Sequence, residues 1–391
     1  MHLSANTSSP PNPSSQEVRA WLTLVHCTVL KNAQLIALLQ QIGTPLSILD
    51  RAAQSPPCLG LPATVVDAIL RPNARVCAWI DAAMEWQAIK GNAIITLGDA
   101  HYPKNLLDIG SPPVLLYATG HVEVLQRDAI GIIGSRQCTA AGIGNASAFA
   151  QALSQAGLCI VSGMAAGIDA ASHQGALAVG GATIGVLGTG IDLNYPKVNA
   201  RLFEQMRERG CLISEHPLGT PALREHFPRR NRLIAGLGLG VLVIEAARQS
   251  GSLITAKQAI NANREVFAIP GSIHSPVSKG CHQLIREGAK LVESAQDVLE
   301  EIRFKPVGSK LGGKPPEIKK ANGQTTICAA PPTERDTQSI WYQWLGFDPI
   351  SPDDLSARSG IQLDEWLIVL GDLEANGGIV RHLDGRVMRC N

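Results

Sequence analysis

From Ala129 onward the chain alternates between short apolar runs and helical patterns, and that alternation leaves few folds open. Apolar runs occupy 129–133, 158–161, 183–187, 211–213, 240–244 and 265–269, with helical periodicity over 140–156, 170–179 and 253–262 among them. Continuous apolar strands separated by helices are buried as a parallel sheet covered on both faces; a half-exposed strand would alternate polar and apolar residues instead. The expected fold class is α/β, an extended Rossmann-like doubly wound parallel sheet whose ligand sits at the carboxyl ends of the strands.

Those strand ends are small and polar. The first reads Gly131-Ile132-Ile133-Gly134-Ser135-Arg136, with a helix opening near Thr139. Small residues let backbone approach a ligand, a helix start favours an anion through its free N–H groups and dipole, and Arg136 adds a permanent planar cation. Neighbouring ends repeat the theme in Ser162-Gly163, Gly167-Ile168-Asp169, Gly188-Thr189-Gly190 and Ser250-Gly251-Ser252. A row of phosphates fits several such turns better than one phosphate does, although tight strand–helix connections also use glycine for turning alone.

Basic residues fall beside these turns. Lys197 follows Tyr195-Pro196, and His226-Phe227-Pro228-Arg229-Arg230-Asn231-Arg232 opens a helix between the fourth and fifth runs. A basic run at a helix N-terminus is unfavourable unless an anion compensates, which points the arginines toward a ligand and leaves Phe227 as a core anchor. Enzyme signatures are sparse: neither the Gly-x4-Gly-Lys-Ser/Thr loop nor a Gly-x-Gly-x-x-Gly directly after the first run is present. His173 and Asp169 share a helix face beside Ser162, but no positioned nucleophile completes them, so His173 reads as structural.

Net charge is only +1, so any basic surface must come from local segregation. Nine scattered cysteines without a Cys-x-x-Cys read as free thiols of a reducing, cytoplasmic setting, with no metal site and no cofactor. No apolar run is long enough for a bilayer. The expected organisation is a Ser/Pro/Asn-rich disordered leader over 1–16, an all-helical unit over 17–87, the Rossmann-like domain over 91–302, a Lys/Gly/Pro-rich flexible linker over 303–336, and a terminal unit over 337–391. Two short strands, 93–97 and 114–117, are expected to brace the central domain. The turn Ile42-Gly43-Thr44-Pro45 resembles half of a helix-hairpin-helix, though a bare Gly turn serves equally as a turn. Three helices and a hairpin around Asp384-Gly385 suggest a winged helix. Its presumptive recognition helix, 362–375, carries Asp364, Glu365, Asp372 and Glu374 without Lys or Arg. Such a helix repels a phosphate backbone and is expected to contact protein rather than duplex DNA.

Taken in order, Gly134-Ser135-Arg136 with Thr139, Val161 through Asp169 with His173-Gln174-Gly175, Gly188-Thr189-Gly190 with Tyr195-Pro196, Ser214-Glu215, Phe227 through Arg232, Glu245 with Ser250-Gly251-Ser252, and Pro270-Gly271 with Gly280 resemble the DNA-processing protein A (DprA/Smf) family of bacteria. The resemblance covers most of 93–299, and the flanking units resemble that family's N-terminal SAM-like domain and C-terminal winged helix. It implies a non-enzymatic, homodimeric binder of single-stranded DNA that protects incoming strands in natural transformation and loads a RecA-type recombinase. Carried over by position, Arg136, Lys197, Arg229, Arg230, Asn231 and Arg232 hold phosphates, while Gly134, Ser162, Gly163 and Gly251 supply backbone donors. Ser135, Thr139, Gly167, Ser250 and Ser252 complete the candidate DNA-binding set from the same turns. Ala141, Gly238 and His282 depart from residues frequent in the family, which touches details of pocket and packing. The competing reading is a nucleotide-binding Rossmann enzyme, phosphoribohydrolase-like; its Pro-Gly-Gly-x-Gly-Thr turn is replaced here by Pro270-Gly271-Ser272-Ile273-His274.

Overall fold

The computed structural model describes residues 14–27, 29–302, 341, 344–346, 349–376, 378–381 and 385–389. The expected leader, all but its last residues, and the expected linker lie outside them, as does most of the helix expected over 338–345.

Five helices come first: α1 (Ser15–His26), α2 (Asn32–Ile42), α3 (Pro45–Gln54), α4 (Ala63–Leu70) and α5 (Ala74–Gln87). Their starts are chemically specified. Ser14, Thr44 and Asn73 each accept a hydrogen bond from a first-turn N–H, and Pro45 occupies a position where no N–H is missed.

The sheet follows, in strands β1 (Asn92–Thr96), β2 (Leu115–Gly120), β3 (Ala129–Ile133), β4 (Cys159–Ser162), β5 (Thr183–Val186), β6 (Cys211–Ser214), β7 (Gly240–Val243), β8 (Glu265–Ala268) and β9 (Lys290–Leu291). Their spatial order is β1-β2-β6-β5-β4-β3-β7-β8-β9. From β6 to β9 every pairing is parallel, while β1–β2 and β2–β6 are antiparallel. The two short strands therefore do more than brace the sheet; they extend its hydrogen-bonded edge.

Seven helices accompany these strands: α6 (Ala140–Gln155), α7 (Ile168–Ala178), α8 (Ala200–Arg209), α9 (His226–Leu237), α10 (Gly251–Asn261), α11 (Lys279–Arg286) and α12 (Ala295–Glu301). The period of two along β3 divides the core. Ile130 and Ile132 pack with Phe149, Leu153 and Ile168 from α6 and α7, whereas Ile133 packs with Leu233, Ile234 and Leu253 from α9 and α10. Helices from opposite faces thus meet at the carboxyl ends of β3 and β7, where the winding direction reverses and a Rossmann-like sheet holds its crevice.

The N-terminal helices share a third core with the antiparallel end of the sheet: Trp21, Leu24, Ile48 and Ile80 join Leu115, Tyr117, Phe203 and Leu212. Inside it, His26 Nε2 lies 2.7 Å from Tyr117 Oη. The terminal unit contains α13 (Pro352–Ser359), α14 (Leu363–Ala375) and the hairpin β10 (Ile379–Arg381)–β11 (Val387–Arg389), closed around Leu355, Trp366, Leu370, Leu373 and Val387. Among the described residues no helix is long and apolar enough to cross a membrane.

Candidate nucleic-acid interface

At the winding reversal the chain supplies its own anion. Glu245, just past β7, accepts from Thr139 N at 2.9 Å and from Thr139 Oγ1 at 2.6 Å, while Thr139 Oγ1 accepts from Gly142 N at 3.0 Å and so caps α6. A Cβ at Gly142 would lie 2.5 Å from the Glu245 carboxyl carbon, so the glycine is what admits the acid. Burial raises the Glu245 pKa, and the two Thr139 bonds oppose that rise. The sequence led us to expect free N–H groups here for an outside anion; the structure sets the Glu245 carboxyl on Thr139 N and Thr139 Oγ1 on Gly142 N.

The next turn repeats the device. The buried carboxylate of Asp169 accepts from Gly163 N at 3.1 Å and Ala165 N at 3.4 Å. Burial raises its pKa, and nearby Arg230 opposes that rise. Gly167 adopts φ +82° and sits so close to the first turn that a Cβ would meet Ser135 O at 2.5 Å; Ile168 N donates to that same oxygen. Ser135 Oγ is engaged locally, donating to Gln137 O and accepting from Gln137 N. Gly134 is packed under Ile168, and Ser162 Oγ donates to Ile132 O at 2.6 Å. These candidates build the turns; their polar groups are largely spoken for.

The arginine cluster divides. Arg230 is buried, and its Nη1 donates to Gly163 O at 2.6 Å and also to Val186 O, joining the ends of β4 and β5. Desolvation pushes its pKa down to about 10, against the pull of Asp169. Arg232 donates to Ser111 O at 2.6 Å and to Glu215 Oε1 at 2.5 Å. Asn231 is half-buried, and only Arg229 of the cluster is exposed.

Of the groups left in solvent, Arg136 and Tyr195 come together around one ring. The Arg136 guanidinium carbon lies 5.3 Å from the centre of the Phe227 ring, and the exposed Tyr195 ring is 5.7 Å from it on a tilted plane. Phe227 is half-buried with Gly188 beneath it, rather than the core anchor expected. Exposed Lys197 follows Tyr195 in sequence, and exposed Arg229 lies two residues past Phe227. A guanidinium over an aromatic face, with exposed cations on the segments that carry both rings, forms a surface able to stack a base and track phosphates. His216 and His226 stack at 4.1 Å beside this ring, and burial, then His226 and the Arg229 and Arg232 charges, bring the His216 pKa to about 4.

The third turn is the open one. Gly251 is exposed, with no heavy atom within 4 Å of where a Cβ would stand; Ser252 is buried, and Ser250 Oγ is buried without a partner. Exposed Arg248 precedes it, a cation that motif reading passed over although it directly enters a helix start. Tyr195 stood outside the candidate set, and its signal was an aromatic two residues before Lys197. His173 is fully buried with Nδ1 2.7 Å from Thr183 Oγ1, and burial followed by Arg230 pushes its pKa to about 3, consistent with the structural reading.

A family profile described as DNA recombination-mediator protein A matches residues 93–303, and one described as the DprA winged helix domain matches 328–385. The DNA processing protein DprA of Streptococcus pneumoniae is 48% identical over 206 residues, 53% of this chain and 73% of that protein. The X-ray structure of DNA processing protein A from the same organism aligns with a TM-score of 0.60 at 38% identity, covering 75% of this chain and 100% of that one. DNA processing protein A from Helicobacter pylori, whose structure was described for its single-stranded DNA binding mode, aligns with a TM-score of 0.50 at 26% identity over 54% of this chain and 95% of its own. With the parallel sheet, the turns in their order and the winged helix in place, the chain belongs to the DNA-processing protein A (DprA/Smf) family.

Proposed function

We propose that this chain is a cytoplasmic, non-enzymatic, homodimeric single-stranded DNA-binding protein that protects incoming DNA in natural transformation and loads a RecA-type recombinase for homologous recombination. Membership of the family supports the DNA-processing role, and the H. pylori relative supports the ligand. Protection, the recombinase and the dimer rest on the family resemblance.

One observation carries the DNA reading. At the first turn Thr139 caps α6 and holds the Glu245 carboxyl, and at the second Asp169 takes the Gly163 and Ala165 N–H groups, whereas Arg136 and Tyr195 pack about Phe227 in solvent and Lys197 and Arg229 stand exposed on the same two segments. That arrangement favours a ligand lying across the carboxyl ends of the strands over one lodged in the crevice. In this reading Arg136, Lys197 and Arg229 hold phosphates, Phe227 and Tyr195 stack bases, and the Ser250–Ser252 turn offers backbone donors. Ser135, Thr139, Ser162, Gly163, Gly167, Arg230 and Arg232 set the platform's shape.

Fluorescence anisotropy with a labelled single strand and its duplex across a salt series tests this. The expected result is a single-strand preference with a log–log salt slope of about −0.7 per phosphate contact, weakened by Arg136→Ala and by Arg229→Ala. Absence of binding, or binding indifferent to both substitutions, would favour the nucleotide-enzyme alternative, for which hydrolysis is the assay.

A further inference from the structure

Helix α14 turns one face inward and leaves another without a partner among the described residues. Trp366, Leu370 and Leu373 are buried in the winged-helix core, while Leu367 is 48% and Ile368 69% exposed. Gly371 follows on the same side, with nothing within 4 Å of where a Cβ would stand. Exposed Asp364, Glu365 and Asp372 rim this strip; Glu374 is engaged by Arg381 at 3.1 Å. Two large aliphatic side chains in water inside a ring of carboxylates suit an apolar surface edged with cations. Phosphate, whether of a duplex or of an anionic bilayer, is repelled.

The carboxyl-end rim of the sheet in this same chain has that chemistry. Val198 is 79% and Tyr195 44% exposed, Phe227 is half-exposed with the Arg136 guanidinium over its ring, and exposed Lys197 and Arg229 lie on the segments that carry Tyr195 and Phe227. We propose that the acidic–apolar face of α14 docks onto this aromatic–basic rim of its own chain and competes with the single strand for it. Charge and apolar content match on both sides. Ile302 and Trp341 are separated by 38 residues, a contour of at most about 130 Å, so the covalent connection permits the approach. Tethering gives the second site an effective concentration of the order of millimolar, which favours this occupant over a free protein of similar chemistry. The competitive part rests on the proposed single-strand role of that rim; the docking does not.

Two readouts on the full chain keep these apart. The first is zero-length carbodiimide coupling without DNA, mapped by peptide mass spectrometry in the monomeric band. Lys197 is the exposed lysine two residues past Tyr195, and the expected product is an amide between Lys197 and Asp364, Glu365 or Asp372, missing in Lys197→Arg. The second is single-strand affinity of Leu367→Ser/Ile368→Asn and of Asp364→Asn/Glu365→Gln/Asp372→Asn, all at exposed positions. Each is expected to bind about 5-fold or more tightly than the wild type, the scale of ordinary coupling between sites, with the charge variant's gain shrinking at high salt. No cross-link, a cross-link only between chains, or capture of duplex DNA by α14 would overturn the docking. Unchanged or weaker single-strand affinity in both variants would overturn the competition. A wild type that forms the cross-link but binds no single strand would remove the DNA reading and leave the docking standing.

Discussion

Arg229 and Arg230 are neighbours in sequence and opposites in environment. Consecutive helix residues point about 100° apart, so one turns to solvent while the other is carried under the β4–β5 ends to Gly163 O and Val186 O. Their substitutions should therefore separate. Arg230→Ala leaves two carbonyls and a void inside the turns, and we expect a loss of about 3 kcal/mol or more in denaturant unfolding. Arg229→Ala should stay within about 0.5 kcal/mol of wild type, as surface changes do. It should instead reduce the salt slope of single-strand binding by about 0.7. Equal destabilisation by the two would contradict the burial, and unaltered DNA binding by Arg229→Ala would remove it from the interface. The split was invisible in sequence because a run of arginines carries no mark of which one faces inward.

At the level of elements, the strands were the most legible feature. Six apolar runs became six parallel strands because both faces of a parallel sheet are covered and nothing interrupts the pattern. Pairing was not legible: β2 joins β6 across ninety residues of chain, a register set by tertiary packing rather than by either strand's own sequence. The helix starts lie where the pattern puts them, but the acid held beside the first of them was not legible. Glu245 lies more than a hundred residues from Thr139, and only the fold reveals that this acid is the partner. Thr139→Ala should consequently cost about 1–3 kcal/mol, through the lost cap and a buried carboxylate deprived of a donor. Single-strand affinity at a temperature where the variant is folded should stay near wild type, since Thr139 faces Glu245. A thermal melt paired with anisotropy checks both, and a variant with wild-type stability but poor DNA binding would return Thr139 to the ligand-contacting set.

For the whole molecule, the question is whether the N-terminal helices form a separable module or part of the sheet's cover, and His26 allows it to be asked. The ring is 5% exposed, stacks near Tyr117, lies tilted against Trp79, and meets Tyr117 Oη at the junction of helices and sheet. Burial brings its pKa from 6.5 to about 4. Between those values the unfolded chain takes up a proton that the folded chain refuses. The stabilisation is thus complete above pH 6.5 and is lost as pH falls toward 4. One proton corresponds to a slope of about 1.4 kcal/mol per pH unit, or about 3 kcal/mol over the full window. Other buried acids and histidines titrate too, so the informative quantity is the difference between wild type and His26→Gln, which removes this proton and retains a polar partner for Tyr117. Denaturant unfolding at several pH values between 4 and 6.5 should give the variant a slope flatter by up to that amount. Because Leu24, Ile80, Tyr117 and Phe203 share one core, helices and sheet should lose stability together, read as coincident far-ultraviolet and tryptophan transitions. Identical pH slopes would mean that the His26 ring reaches water in solution, and two separate transitions would mean that the helical unit folds apart from the sheet.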